Sequence, residues 1–590
     1  MGAATSAPDS SPSTSSSKKP PPPSVGTLID ELPLGRFHAL HLARLLTINA
    51  CFAFTLEMNA FVYPGMAMEF HVTPATEVLF AAMFTAGGIF GAISTSLQDA
   101  FGRMRVIATA AACATTFGFA LQFLQSFGAL CAMRFFLGLS FFTTQYGFSA
   151  WFTEHLPKTN RGPLYVALTA GYPIGRFGVI VAAWRLENAQ WRLILVISAC
   201  LLLTCLLFAL TIYESPRYLA VSGDEPKARK RVHEIYAFNR SALPYGEDEA
   251  RRLERGEGVG TSTSAPAPTE RTPLVLEAGK AGGPNAASAS SAAAAASSSS
   301  SSAGSASGCM PTASVRLYNA LARWRNLFAS PPKHLGYAGV LFFGLSAQQQ
   351  LIQNFGPRVF QRLIYPDDYR AMETVMNPHA PLPFETLALF NFTDWWGILL
   401  SVLLIDRLGR RGFFAVGFTI AALLWIVLGA MRPIAHQFNA SEEQSYSVQV
   451  ALVVVGAIAS GTRGFAPEAA NLWVLETFAT DQRATCYATV QMIYQLTSSL
   501  VVPLGGQVVS MVDYSPVPLL LSYGVLQALL GVFTWFLPNE TANVALADVT
   551  RREEGGDSSL QKKGGGGGGE SKEDTASKYQ ALGGPSDVLR

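Results

Sequence analysis

The chain has 590 residues, of which 49% are hydrophobic and only 14% charged, with a formal net charge of +2. Soluble domains carry about a quarter of charged residues, so this composition excludes an ordinary soluble enzyme. The balanced charge gives a nucleic-acid partner no electrostatic footing.

Taken in chain order, residues 1–37 are Ser/Pro-rich without an apolar stretch and are expected to form a disordered cytoplasmic tail. Apolar runs then follow near 44–64, 76–97, 106–126, 128–151, 163–184 and 191–213. About 20 helical residues cross a hydrocarbon core of roughly 30 Å, and each run qualifies. Residues 214–334 are polar. Their first part, with Lys227, Arg229, Lys230 and Arg231, predicts short surface helices, while the Ala/Ser/Gly stretch at 285–308 predicts disorder. Six further runs lie near 335–356, 385–405, 412–431, 448–470, 484–510 and 515–537, before a tail at 542–590 with a six-glycine run at 564–569. The expected fold is an all-α polytopic membrane protein. Twelve transmembrane helices form two six-helix halves, 38–213 and 335–541, around a central cavity, with a lipid bilayer as surrounding partner.

Two distant loops nearly repeat each other. Residues 99–105 read Asp99-Ala-Phe-Gly102-Arg103-Met-Arg105, and 406–411 read Asp406-Arg-Leu-Gly409-Arg410-Arg411. Each is followed, two apolar runs on, by a Glu and an Arg seven positions apart: Glu154 with Arg161, and Glu476 with Arg483. Repeated charged loops between membrane-length runs mark a secondary transporter built from two related halves. All twelve residues are candidate gating residues, their carboxylates meeting guanidinium groups or helix N-terminal amides when the gate is shut. The Arg and Lys of these loops also place them, and both termini, in the cytosol by the positive-inside rule. Asn439-Ala-Ser441 then falls on the outer face as a candidate glycosylation site.

At these loops the chain resembles the major facilitator superfamily, whose cytoplasmic motif is Gly-x-x-x-Asp-Arg-x-Gly-Arg-Arg. Val402 and Thr95 replace the leading glycines, Ala100 replaces the first Arg of copy one, and Met104 splits its basic pair. Arg134-Phe-Phe-Leu-Gly138 is similar to the fourth-helix motif, and Glu214-Ser-Pro216-Arg217-Tyr-Leu to the exit of helix six. Glu476-Thr-Phe478-Ala-Thr480-x-x-Arg483 narrows the resemblance to the branch of sugar porters, organic cation and anion transporters, and synaptic vesicle glycoprotein 2 relatives. It implies transport by alternating access without a cofactor, on a membrane of the cell surface or of a vacuole or vesicle.

Ionisable groups at membrane depth are costly and point to function. Arg134, Arg176 and Arg463 are candidates for the substrate cavity, together with Gln348, Gln349, Gln353, Asn354 and Tyr494. An Arg fork suits an anionic solute. Glu57, Asp394 and Glu468 are candidates for carrying a coupled proton, and structural pairing of these acids with the arginines is the competing expectation. The leading reading is a transporter of a small organic solute, an anion or zwitterion, with protons as coupling partner. A sugar or polyol porter is the alternative, although Gly461-Thr-Arg-Gly464-Phe departs from the Gly-Pro-x-Pro-Trp of that group. A receptor or scaffold that has lost transport is the other. No nucleotide loop, nucleophile–base set or cysteine spacing for a metal is present in the sequence, so neither catalysis nor a metal is expected.

Overall fold

A computed structural model describes residues 23–157, 161–186, 190–243, 313–329, 331–364, 384–437, 442–462, 467–478, 483–511 and 516–537. The first span is helix Arg36–Glu57, continued beyond Met58 by Asn59–Phe70. Spans two to four are Leu79–Phe101, Arg103–Leu121 and Phe127–Thr153. The fifth joins Arg161–Ala167 to Gly171–Arg185 through a turn of 3-10 helix, and the sixth is Trp191–Thr211. In the second half, Lys333–Ile364 is the seventh span, and Phe384–Gln437 holds the eighth and ninth. The tenth comprises Glu442–Gly461 and Pro467–Thr477, followed by Arg483–Met511 and Pro516–Thr534. The twelve-helix, two-half layout expected from the apolar runs is therefore the observed one.

Two tight reversals follow from glycine. Gly102 between spans two and three has φ 97°, and Gly409 between spans eight and nine has φ 72°. Only a residue without Cβ adopts that region freely, so each motif glycine turns the chain within a single residue. Gly138 of the fourth-helix motif serves close approach instead. A Cβ there would lie 2.8 Å from the carbonyl carbon of Phe84 on span two, the small-residue contact through which membrane helices pack.

The outer spans show lipid-facing stripes at helical spacing. Leu203, Leu207 and Leu210 on the sixth, Ile420, Leu423 and Val427 on the ninth, and Val525, Leu529 and Val532 on the twelfth are all exposed. Apolar side chains presented outward in this way need hydrocarbon around them. Inside, aromatic packing such as Phe52 on Phe141, with centroids 4.8 Å apart, ties spans one and four.

Short helices Pro216–Val221, Glu225–Asn239 and Ala313–Ala329 lie in the central polar stretch. One expectation is corrected here. The N-terminal tail is not without structure up to residue 37: Val25–Asp30 is a helix, and its Val25, Leu28 and Ile29 are buried. A Ser/Pro-rich lead hides a four-residue apolar set that is too short to register as an element.

Candidate transport cavity and gate

The two loop motifs build matching charge clusters. Gly102 starts span three, where Arg103 pairs with Glu154 at the end of span four. Gly409 starts span nine, where Arg410 donates to Glu476 from Nε (3.0 Å) and Nη2 (2.9 Å) and to Asp406 from Nη1 (2.6 Å). The second cluster is the more buried, with the Arg410 side chain 3% exposed. Each ion pair joins elements of one half, so neither has to break when the halves move apart. That departs from the expectation that these pairs themselves form the gate.

Contact between the halves at this end falls to the mouth of span five. Gly162 packs so tightly on the other half that a Cβ would sit 2.6 Å from Asp406 Oδ1 and 3.1 Å from Arg410 Nη2. Arg161 beside it is 5% exposed and pairs with Asp30. The N-terminal amides of span three are taken by Glu214: the backbone N–H groups of Arg103 and Met104 donate to it at 3.0 and 3.3 Å. Arg105 is exposed, and Arg411, also exposed, donates to the carbonyl of Trp535. Arg463 and Asn439, and the side chains of Asp99, Glu468 and Arg483, lie outside the described residues.

Between the halves is a cavity of about 160 Å³. Gln348, Gln349, Gln353, Tyr494 and Arg176 line it, as expected, and Asp394 stands on its wall. Arg176 on span five donates from Nε to Glu57 on span one at 3.0 Å and pairs through Nη1 with Asp394 on span eight. The three side chains are 13%, 10% and 4% exposed. One guanidinium thus holds two acids, one from each half. Glu57 and Asp394, two of the three acids expected as proton carriers, are thus paired with Arg176 in this conformer.

Arg134 is a second correction. It does not line the cavity but is fully buried within the first half. Its Nη2 donates to Asn59 Oδ1 at 2.7 Å and to the Thr55 carbonyl at 3.3 Å, and its guanidinium lies 4.2 and 4.7 Å from the rings of Phe84 and Phe80. Asn354 also stands off the cavity, accepting from Tyr63 at 3.3 Å and donating to Gln350.

Several wall residues escaped the sequence reading: Tyr146, Tyr172, Tyr487 and Tyr523, with the amides Asn49, Gln145, Asn471 and Gln491. Gln495 donates to Tyr146 at 2.7 Å across the halves, and Tyr494 donates to Gln349 at 3.1 Å. The acceptors Gln348 Oε1 and Gln495 Oε1 are buried in this wall with no hydrogen-bond partner among the described residues. A helical stripe could have found them. Thr169, Tyr172 and Arg176 on span five, and Tyr487, Gln491 and Tyr494 on span eleven, recur at three- and four-residue steps within apolar runs.

The model of the sugar (and other) transporter family matches residues 49–250 and 312–552. The organic cation/carnitine transporter 7 of Arabidopsis thaliana is 24% identical over 387 residues, 65% of this chain and 71% of that protein. The putative transporter SVOPL of Danio rerio is 26% identical over 43% of this chain and 50% of its own length. Synaptic vesicle 2-related protein of Bos taurus is 24% identical over 30% of the chain and 32% of its own length. Among solved structures, the proton:xylose symporter XylE of the major facilitator superfamily, bound to 6-bromo-6-deoxy-D-glucose, superposes with a TM-score of 0.55 at 14% identity. That alignment covers 87% of this chain and 99% of the symporter, and at this identity it speaks for the fold.

Proposed function

Since the chain belongs to the sugar (and other) transporter family, a family of multi-pass membrane proteins of the major facilitator superfamily, we propose that it moves a small, hydroxyl- or ammonium-bearing solute of zero net charge by alternating access. The observation that carries this reading is the central Arg176, already balanced by Glu57 and Asp394. A guanidinium holding two carboxylates has no fork left for an anionic solute, so the balance shifts from an organic anion towards a polyol or zwitterion. The amides and phenols around it are the groups that bind hydroxyls, and buried acceptors such as Gln348 Oε1 and Gln495 Oε1 gain most from a donor. The cavity of about 160 Å³ suits one ring, since an engineered cavity of about 150 Å³ takes up benzene.

The loop motifs face the cytosol in this reading, as do both termini, and Asp394 carries the coupling proton. A proton on Asp394 removes the charge that ties span eight to Arg176 and so loosens the halves inside the cavity. Uptake into proteoliposomes of labelled polyols, zwitterions, anions and cations, with and without an imposed pH gradient, tests both parts. Asp394→Asn is expected to abolish concentrative uptake while preserving exchange of labelled for unlabelled solute. Wild-type uptake that ignores the gradient would refute proton coupling and leave a facilitative carrier. Selective uptake of anions would refute the solute class.

A further inference from the structure

The family match starts at residue 49, yet the charge cluster at the mouth of span five is completed from outside it. Helix Val25–Asp30 is capped by Ser24, whose Oγ accepts from the N–H of Thr27 at 3.2 Å. Its apolar side, Val25, Leu28, Ile29 and Leu32, is buried against Ala228, Val232, Ile235 and Tyr236 of helix Glu225–Asn239. Polar contacts fasten both ends of this strap. Arg229 donates to the Pro23 carbonyl (3.1 Å), Tyr236 to the Leu28 carbonyl (3.0 Å) and Asn239 to the Pro33 carbonyl (3.3 Å), and the Phe37 N–H donates to Asn239 Oδ1 (2.8 Å).

So held, the strap presents Asp30 to two arginines that the motifs supply. Asp30 Oδ1 accepts from Arg161 Nη2 at 3.1 Å and from Arg217 Nη2 at 2.7 Å. Arg217 donates in addition to the Glu154 carbonyl at 3.0 Å. Arg161 also lies within electrostatic reach of Arg217, Arg410 and Glu476, and its neighbour Gly162 makes the contact with the other half. Arg410 is balanced by Asp406 and Glu476, whereas Arg161 and Arg217 repel each other. Asp30 from the strap offsets that repulsion beside the point where the halves touch.

We infer that Asp30 is a positioning residue of the gate: the strap it ends holds Arg161 and Arg217 so that the mouth of span five closes on Asp406 and Arg410. Helix Glu225–Asn239 is the strap's anchor, which gives part of the central polar stretch a role in gating. The inference rests on the alternating-access reading but not on the identity of the solute. Its test therefore reads conformation.

Ser149 lines the cavity four residues before the end of span four. In the full chain carrying Ser149→Cys, labelling by a membrane-impermeant maleimide from the motif side reports opening at this end, after subtraction of the signal without that change. Asp30→Asn is expected to raise the labelling rate at least threefold, and Asp30→Glu to return it towards the parent rate. A parent-like rate in Asp30→Asn would overturn the inference. Should Asp30→Asn not assemble, Leu28→Ala loosens the strap and leaves every charge in place. It is expected to raise labelling in the same direction, and an unchanged rate there overturns the inference equally. Labelling that responds while the chain with Ser149 intact carries no solute would count against the transport reading alone.

Discussion

Gly162→Ala places one methyl group where the halves meet. Its Cβ would lie 2.6 Å from Asp406 Oδ1 and 3.1 Å from Arg410 Nη2, against the 3.5–4.0 Å of a relaxed contact. The carboxylate cannot swing aside freely, because Arg410 Nη1 holds it at 2.6 Å. Overpacking of this kind costs about 1–3 kcal/mol. In a conformer whose halves have separated here, the methyl meets nothing and costs nothing. The whole penalty therefore falls on one state, and the equilibrium moves about 5- to 150-fold towards opening at this end. Spin labels on Arg105→Cys and Leu408→Cys, both exposed and one on each half, report the separation in a cysteine-free background. The long-distance population should grow in Gly162→Ala and fall back when Asp406→Ala is added. An unchanged distance distribution, or no recovery in the double variant, would refute the claim that this contact closes the gate.

Arg134→Ala should lower the thermal stability of the detergent-purified protein and leave solute selectivity alone, since Arg134 is fully buried on Asn59, Thr55 and two phenyl rings away from the cavity; losing hydrogen bonds from a charged donor costs about 1.5–3 kcal/mol, and a changed solute preference at normal stability would contradict the assignment. His155, just beyond span four, is held down to about 3 by burial, so between roughly pH 6.5 and pH 3 the unfolded chain binds the proton and the folded one does not. Stability is then present above pH 6.5 and falls by at most about 1.4 kcal/mol per unit as the pH drops through that window; melting temperatures of His155→Asn should follow a shallower acid limb, and an identical limb would show that other groups set it.

What could be read from the sequence was whatever carries a period or a punctuation mark. Twelve apolar runs and the glycine-centred charged loops survive intact because each is a local property of some twenty residues. The choice between Arg134 and Arg176 was not local. Both stand alone in apolar helices, and only the angular setting of spans four and five against their neighbours turns one into the protein and the other into the cavity. Tyr146, Tyr172, Tyr487 and Tyr523 were hidden for a different reason: a tyrosine scores as apolar, and its hydroxyl becomes informative only when the facing helix supplies Gln or Asn. Asp30 lay beyond any pattern, since its partners are 131 and 187 residues away.

The distribution of charge within and between the halves suggests how the cost of motion is kept low. Arg103 with Glu154, and Arg410 with Asp406 and Glu476, sit inside their own halves. Such pairs are costly to break, and they keep each six-helix unit rigid. Between the halves, at the cavity, the described ion pair is Arg176 with Asp394, and Arg176 retains Glu57 when Asp394 leaves. Separation there leaves Arg176 with Glu57, while Asp394 gives up the guanidinium and keeps the hydroxyl of Ser460 at 3.4 Å. Other cross-half contacts among the described residues are neutral hydrogen bonds, such as Gln495 to Tyr146, Gln353 to the Leu56 carbonyl, Asn391 to the Pro173 carbonyl, and Tyr63 to Asn354, each worth about 0.5–1.5 kcal/mol net. Interactions of that size can be exchanged for bonds to a solute or to water as the cavity opens. Strong pairs within the halves and replaceable ones between them are what a rocking carrier needs.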